Sequence, residues 1–140
     1  MGKIETNSQD YKPNEEEPFM NERQKEYFRA KLNAWKVDIL KESKSTLEVL
    51  ADESNKLPDA NDRASDETNR SIELRARDRQ RKLISKIDSA VRRIDEGEYG
   101  FCEDTGEPIS LKRLEARPIA TLSIEAQERH ERREKVYRDD

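Results

Sequence analysis

Leu57-Pro58-Asp59-Ala60-Asn61-Asp62-Arg63-Ala64 lies between two long, charged stretches whose apolar residues recur at helical spacing. Pro58 disfavours a helical conformation for Leu57 and so ends the first stretch. Asp59, Asn61 and Asp62 are residue types that favour turns and helix starts. Two long helices joined by a short turn form an antiparallel hairpin. The turn, over 57–65, is then the exposed tip, and it carries paired aspartates.

The stretch before the tip starts at Asn21, a capping residue, with Gln24 three positions on as the reciprocal partner of a capping box. Phe28, Leu32, Trp35 and Ile39 follow at steps of four, three and four, then Leu47 and Leu50. The spacing predicts a helix from about Asn21 to Glu53, roughly 50 Å at about 1.5 Å of rise per residue. The returning stretch is expected to run from Ser65 or Asp66 to Glu96, with Gly97 as its C-cap. Its seam is Ile72, Ala76, Leu83, Ile84, Ile87, Val91 and Ile94. Apolar density is highest at Phe28–Leu40 and Leu83–Ile94 and thins toward the tip, which predicts a firm base and a loosely held tip.

Composition fits such a rod better than a large globule. Of 140 residues, 31% are hydrophobic and 43% charged, against about 45–50% and 25% in an average domain. Polar, charge-rich chains also populate disordered states, but the regular apolar spacing favours a folded hairpin. The net charge of -4 is unevenly spread: residues 59–67 carry -3 and residues 68–96 carry +4. An acidic chain with one basic arm argues against indiscriminate nucleic-acid binding and fits a partner with patches of both signs. No apolar run approaches the roughly 20 residues needed to span a bilayer, and the first residues lack the apolar core of a secretory signal. A cytoplasmic protein without a membrane partner is expected.

The basic arm contains Arg75-Ala76-Arg77-Asp78-Arg79-Gln80-Arg81-Lys82, continuing to Lys86. Arg75, Arg79, Lys82 and Lys86 follow one another at steps of four, three and four and so share one stripe. Such a stripe is either a solvated face or a contact for an acidic partner or for nucleotide phosphates.

Residues 1–18, with Pro13, Pro18 and Glu15-Glu16-Glu17, are expected to be a disordered tail; 19–96 form the hairpin. Residues 97–126 change texture to a compact, non-helical knot, and 122–140 form a C-terminal helix and tail, starting near Leu122 or Ser123. A four-cysteine zinc template, with C-x2-C pairs separated by about 15–20 residues, falls on Cys102, Thr105, Ser123 and Ala126, with 17 residues between the pairs. Only Cys102 is a thiol, and the single histidine, His130, lies on the last helix. Zinc is therefore not expected. Apolar packing by Tyr99, Phe101, Ile109, Leu111, Leu114, Ile119, Leu122 and Ile124 has to hold the knot. A catalytic Cys102 would need an adjacent base, so no enzyme is read from these residues. A redox-sensitive Cys102 thiol stays open as a minor alternative to a partly buried small residue.

Three elements together resemble the DksA family of bacterial transcription factors (DnaK suppressor proteins): the tip Asp59-x-x-Asp62-x-Ala64, the arm RARDRQRKLISKID (75–88), and GFCEDTGEPISLKRLEARPIATLSIEAQ (100–127). The likeness covers roughly residues 20–135. It implies an all-α-dominated fold: a long antiparallel two-helix coiled-coil hairpin, a small globular degenerate zinc-finger-like base and a C-terminal helix. It also implies a monomeric protein that binds RNA polymerase directly, without sequence-specific DNA binding. The coiled coil would enter the secondary channel, destabilise open complexes at ribosomal RNA promoters and cooperate with guanosine tetraphosphate (ppGpp) in the stringent response. Asp59, Asp62 and Ala64 would face the polymerase active site. Arg75, Arg79, Lys82 and Lys86 would contact the channel. Lys86 and Arg117 match positions that help bind ppGpp at the polymerase interface, whereas Gln127 stands where lysine is usual and weakens attraction for the phosphates. Without the likeness, two rivals remain: a coiled-coil scaffold, and a nucleic-acid binder using the basic stripe.

Overall fold

A computed structural model of the chain describes residues 10–54 and 60–139, with side-chain surroundings given for 10–44 and 65–136. Two long helices dominate, α1 (Glu22–Ser54) and α2 (Ala60–Glu96), followed by a short α3 (Leu111–Ala116) and α4 (Ile124–Asp139). Among the described residues the extended pairing is limited to one isolated antiparallel bridge, Phe101 to Pro108. No described helix is long and apolar enough to cross a membrane.

The ends of the long helices follow their local chemistry. Asn21 Oδ1 accepts from the Gln24 backbone N–H at 2.9 Å, as a cap should. Gln24 does not close the box on Asn21: its Oε1 accepts from the Met20 N–H at 2.8 Å, one residue further out. At the far end of α2, Gly97 sits at φ 79°. Its N–H reaches Ile94 O at 3.2 Å and the Glu98 N–H reaches Arg93 O at 2.8 Å, a double closure that needs a left-handed residue at 97.

The start of α2 differs from expectation. Helix begins at Ala60 rather than Ser65, so Asp62 and Ala64 occupy its first turns, while the rest of the tip at 57–59, Asp59 included, lies outside the described residues. The reason is that Asn and Asp favour helix starts as well as turns, and Ala60 and Ala64 favour continuation.

The chain divides into two compact units, an arm of Asn33–Asp88 and a base of Met1–Leu32 with Ser89–Asp140, so each long helix is shared by both. In the arm, the helices run antiparallel: Lys36 Nζ meets Asp88 Oδ1 at 2.7 Å and, seven residues along α1 and eight back along α2, Ser43 Oγ donates to Gln80 Oε1 at 2.6 Å. Of its described side chains only Ile39 and Ile87 are buried. Ile72, expected in the seam, is 59% exposed. Between Leu74 and Leu83 the only apolar side chain on α2 is Ala76, and burying this stretch would enclose charged arginines without partners.

The base holds most of the core. Phe28, Leu32, Ala90, Ile94, Tyr99, Ile109, Leu114 and Ala126 are buried, and the Phe28 ring lies 5.6 Å from that of Tyr99. Phe101 and Ile124, expected to hold the knot, are exposed. The knot is also not free of helix: Ser110 Oγ caps α3 by accepting from the Arg113 N–H at 3.2 Å. α3 is tied to α1 where Glu115 accepts from the Tyr27 hydroxyl and meets Lys31 Nζ at 3.2 Å. Burial first, and then that hydrogen bond, push the Tyr27 hydroxyl up to about 12.

The disordered tail read over 1–18 is corrected from residue 10 onward. Tyr11 is buried, its ring carries the Arg23 guanidinium at 3.8 Å, and its hydroxyl donates to Glu17 Oε2 at 2.7 Å. The fully buried Gln24 completes the attachment by donating to Asn14 O at 3.3 Å. A buried amide with its polar atoms satisfied fixes position more than it adds stability.

Candidate partner-docking surface

From Arg75 to Lys86, α2 repeatedly places cations outward. Arg75, Arg79, Lys82 and Lys86, expected as one stripe, are all exposed. Asp78 neutralises part of it, meeting Lys82 Nζ at 3.2 Å; both partners are well solvated, so the pair adds little stability. Arg75, Arg79 and Lys86 make no ion pair among the described residues. The stripe is therefore open to carboxylates or phosphates. At the opposite end of α2, Asp62 is the third residue of the helix.

In the base, the positions of the zinc template each carry another task. Cys102 is buried, at 2% exposure. Its thiol is pushed up by burial, but hydrogen bonds from the Ser123 backbone, the Thr105 hydroxyl and backbone, and the Asp104 backbone outweigh this and bring it down to about 6. Thr105 Oγ1 also accepts from the Glu107 N–H at 3.2 Å, and Ser123 Oγ accepts from the Ala126 N–H at 3.2 Å as the cap of α4. Ala126 is fully buried. A four-coordinate zinc needs thiolate or imidazole donors at these corners. One sulfur, two hydroxyls committed to backbone donors and a methyl group do not fit it. Among the described residues no group of three or more His, Cys, Asp or Glu is placed to hold a metal.

Backbone donors thus do for Cys102 what a cation would otherwise do, which sets a pH dependence. A thiolate favoured by the fold stabilises it fully above the ordinary value of 9.0, and the contribution is lost as pH falls through about 6. Cys102→Ala should remove it. The urea midpoint of the wild type should therefore gain on that of the variant as pH rises from about 6 to 9. A constant difference over that range would show that the sulfur stays protonated.

Arg117 caps the end of α3, its N–H reaching Arg113 O at 2.7 Å, and its side chain is exposed. Gln127 is half-buried and donates to Glu131 Oε1 at 3.2 Å. These two belong to the base, and Lys86 to the arm. Sequence reasoning missed one link near this region, His130 Nε2 to Asp104 Oδ2 at 2.7 Å, which joins α4 to the Cys102 loop. Nothing in the spacing of these residues announces it, since 26 positions separate them.

Two family models match the chain. "DnaK suppressor protein DksA, N-terminal domain" covers residues 24–94, and "Prokaryotic dksA/traR C4-type zinc finger" covers residues 97–132. The RNA polymerase-binding transcription factor DksA of Caulobacter vibrioides is 66% identical over 131 residues, which span 94% of this chain and 92% of that protein. The protein of the same description from Escherichia coli is 44% identical over 124 residues, 89% of this chain and 81% of its own. Among solved structures, transcription factor DksA2 from Pseudomonas aeruginosa superposes with a TM-score of 0.78 at 42% identity, over 84% of this chain and 90% of that one.

Proposed function

The chain belongs to the DksA family, and from that membership we propose that it is a cytoplasmic, non-enzymatic transcription factor that binds RNA polymerase. In this reading the arm enters the polymerase secondary channel with Asp59, Asp62 and Ala64 leading. Arg75, Arg79, Lys82 and Lys86 bear on the channel wall. The factor destabilises open complexes at ribosomal RNA and similar promoters and cooperates with ppGpp, with Lys86 and Arg117 facing its phosphates and Gln127 contributing no charge there.

The observation that carries this reading is how little the described part of the arm buries. A helical pair that buries only Ile39 and Ile87 among its described side chains, while presenting an exposed cationic stripe, is built to be covered by something else. A coiled-coil scaffold would need its apolar seam to continue along the arm. A general nucleic-acid binder would not combine the stripe with a net charge of -4. Opposed charge on the partner supplies steering and register more than affinity.

Purified polymerase tests the reading directly. Adding the protein should shorten the lifetime of an open complex at a ribosomal promoter, and ppGpp should deepen the effect. Absence of polymerase binding would remove the proposed function altogether. Zinc plays no part in this account, so EDTA should leave the thermal midpoint unchanged; stoichiometric zinc in the purified protein would contradict it.

A further inference from the structure

α2 carries more basic residues than the stripe uses. Arg70, Arg77 and Arg81 recur at steps of seven and four, and Leu74 stands among them at four, three and seven residues' distance. At about 100° per residue, this group lies roughly 140° around the helix from Arg75, Arg79, Lys82 and Lys86, on the side away from the seam positions Leu83, Ile87 and Ile94. The cationic arm therefore has two faces.

The second face has features that a merely solvated surface would lack. Leu74 is 63% exposed. Taken singly that would be ordinary, but here the leucine lies in a shallow depression of about 200 Å³ formed with Arg70, Glu73 and Arg77. Arg77 is half-buried, and its Nε is shielded from solvent without a hydrogen-bond partner. Neither Arg70 nor Arg81 makes an ion pair among the described residues, although both are exposed. An unsatisfied buried donor costs free energy that an incoming acceptor recovers.

We infer that this face is a second docking surface, which takes an apolar side chain flanked by carboxylates on the RNA polymerase. The inference rests on the polymerase-binding reading and adds to it a grip on the opposite side of the arm. The depression accepts the apolar group beside Leu74, while Arg70, Arg77 and Arg81 pair with the surrounding carboxylates. A protein partner fits better than a nucleic acid. Glu73 lines the depression and would repel a phosphate backbone, and Leu74 would gain nothing from one. An arm held on two faces is fixed in rotation as well as in depth, which a tip acting at one point requires.

Polymerase binding by wild type, Leu74→Ser, Arg81→Glu and, on the first face, Arg79→Glu decides the matter, with circular dichroism to establish equal helicity. Leu74→Ser and Arg81→Glu should each weaken binding about tenfold, Arg81→Glu with a reduced salt dependence. Wild-type strength in both second-face variants, with Arg79→Glu impaired, overturns the second face and leaves polymerase binding intact. Failure of the wild type itself to bind overturns the functional reading as well. If the second-face variants instead lose affinity only for single-stranded DNA or RNA, the face serves nucleic acid and the inference is wrong.

Discussion

Phe28→Ala should cost about 3–5 kcal/mol and leave the base unfolded or nearly so at 37 °C. Phe28 has no exposed surface, and its ring packs 5.2 Å from Tyr27 and 5.6 Å from Tyr99, centroid to centroid. Removing it deletes a full aromatic side chain and opens a cavity that those neighbours cannot close, since both are held by their hydroxyls. Tyr27 donates to Glu115, and Tyr99 donates to Pro118 O at 2.8 Å. The loss is out of proportion to one residue because Phe28 lies where α1 meets the chain returning from α2. Urea denaturation measures it. Leu40→Ala, at a residue 49% exposed on the same helix, should cost well under 1 kcal/mol. Equal effects at the two positions would mean that the base is not the cooperative core of the molecule.

How much of this was legible beforehand depends on whether a signal was periodic or solitary. The two long helices, Gly97 as a cap and the start of α4 beside Ser123 could be read because each rests on repeated spacing or on a residue with a narrow conformational role. The outward stripe was readable for the same reason. The packing of Tyr11 was not. It depends on Arg23, Glu17 and Gln24 meeting one aromatic residue within an acidic, proline-marked segment, and no periodicity records such a contact. α3 is only six residues long, too short for an apolar repeat, although Ser110 before LKRLEA was a usable cap. The surroundings of Cys102 were equally hidden. Spacing identified the degenerate corners, but the backbone donors of Asp104, Thr105 and Ser123 that replace the missing ligands depend on fold alone. The early start of α2 was misjudged because Asp and Asn signal turns and helix starts alike.

On the proposed mechanism, Asp59→Asn combined with Asp62→Asn should bind polymerase within about twofold of wild type yet no longer shorten the lifetime of the open complex. Asparagine preserves size and hydrogen-bonding capacity and serves helix starts as well as aspartate does, so α2 should form from Ala60 as before. Affinity should survive because the docking cations lie at Arg70 and beyond, more than two helical turns along α2 from Asp62. What changes is charge: the substitutions remove most of the -3 carried by residues 59–67. Two mechanisms then separate on magnesium. If the carboxylates acted by capturing the polymerase's catalytic Mg²⁺, raising the ion concentration would blunt the wild-type effect. If they reposition mobile polymerase elements, the effect should hold across the titration. Capture is the weaker alternative: Mg²⁺ demands near-octahedral oxygen geometry, and two side chains in the sequence Asp59-Ala60-Asn61-Asp62 supply only part of that set. A wild-type effect that fades as Mg²⁺ rises would reverse this ranking, and a double variant as active as wild type would dismiss the tip as the effector.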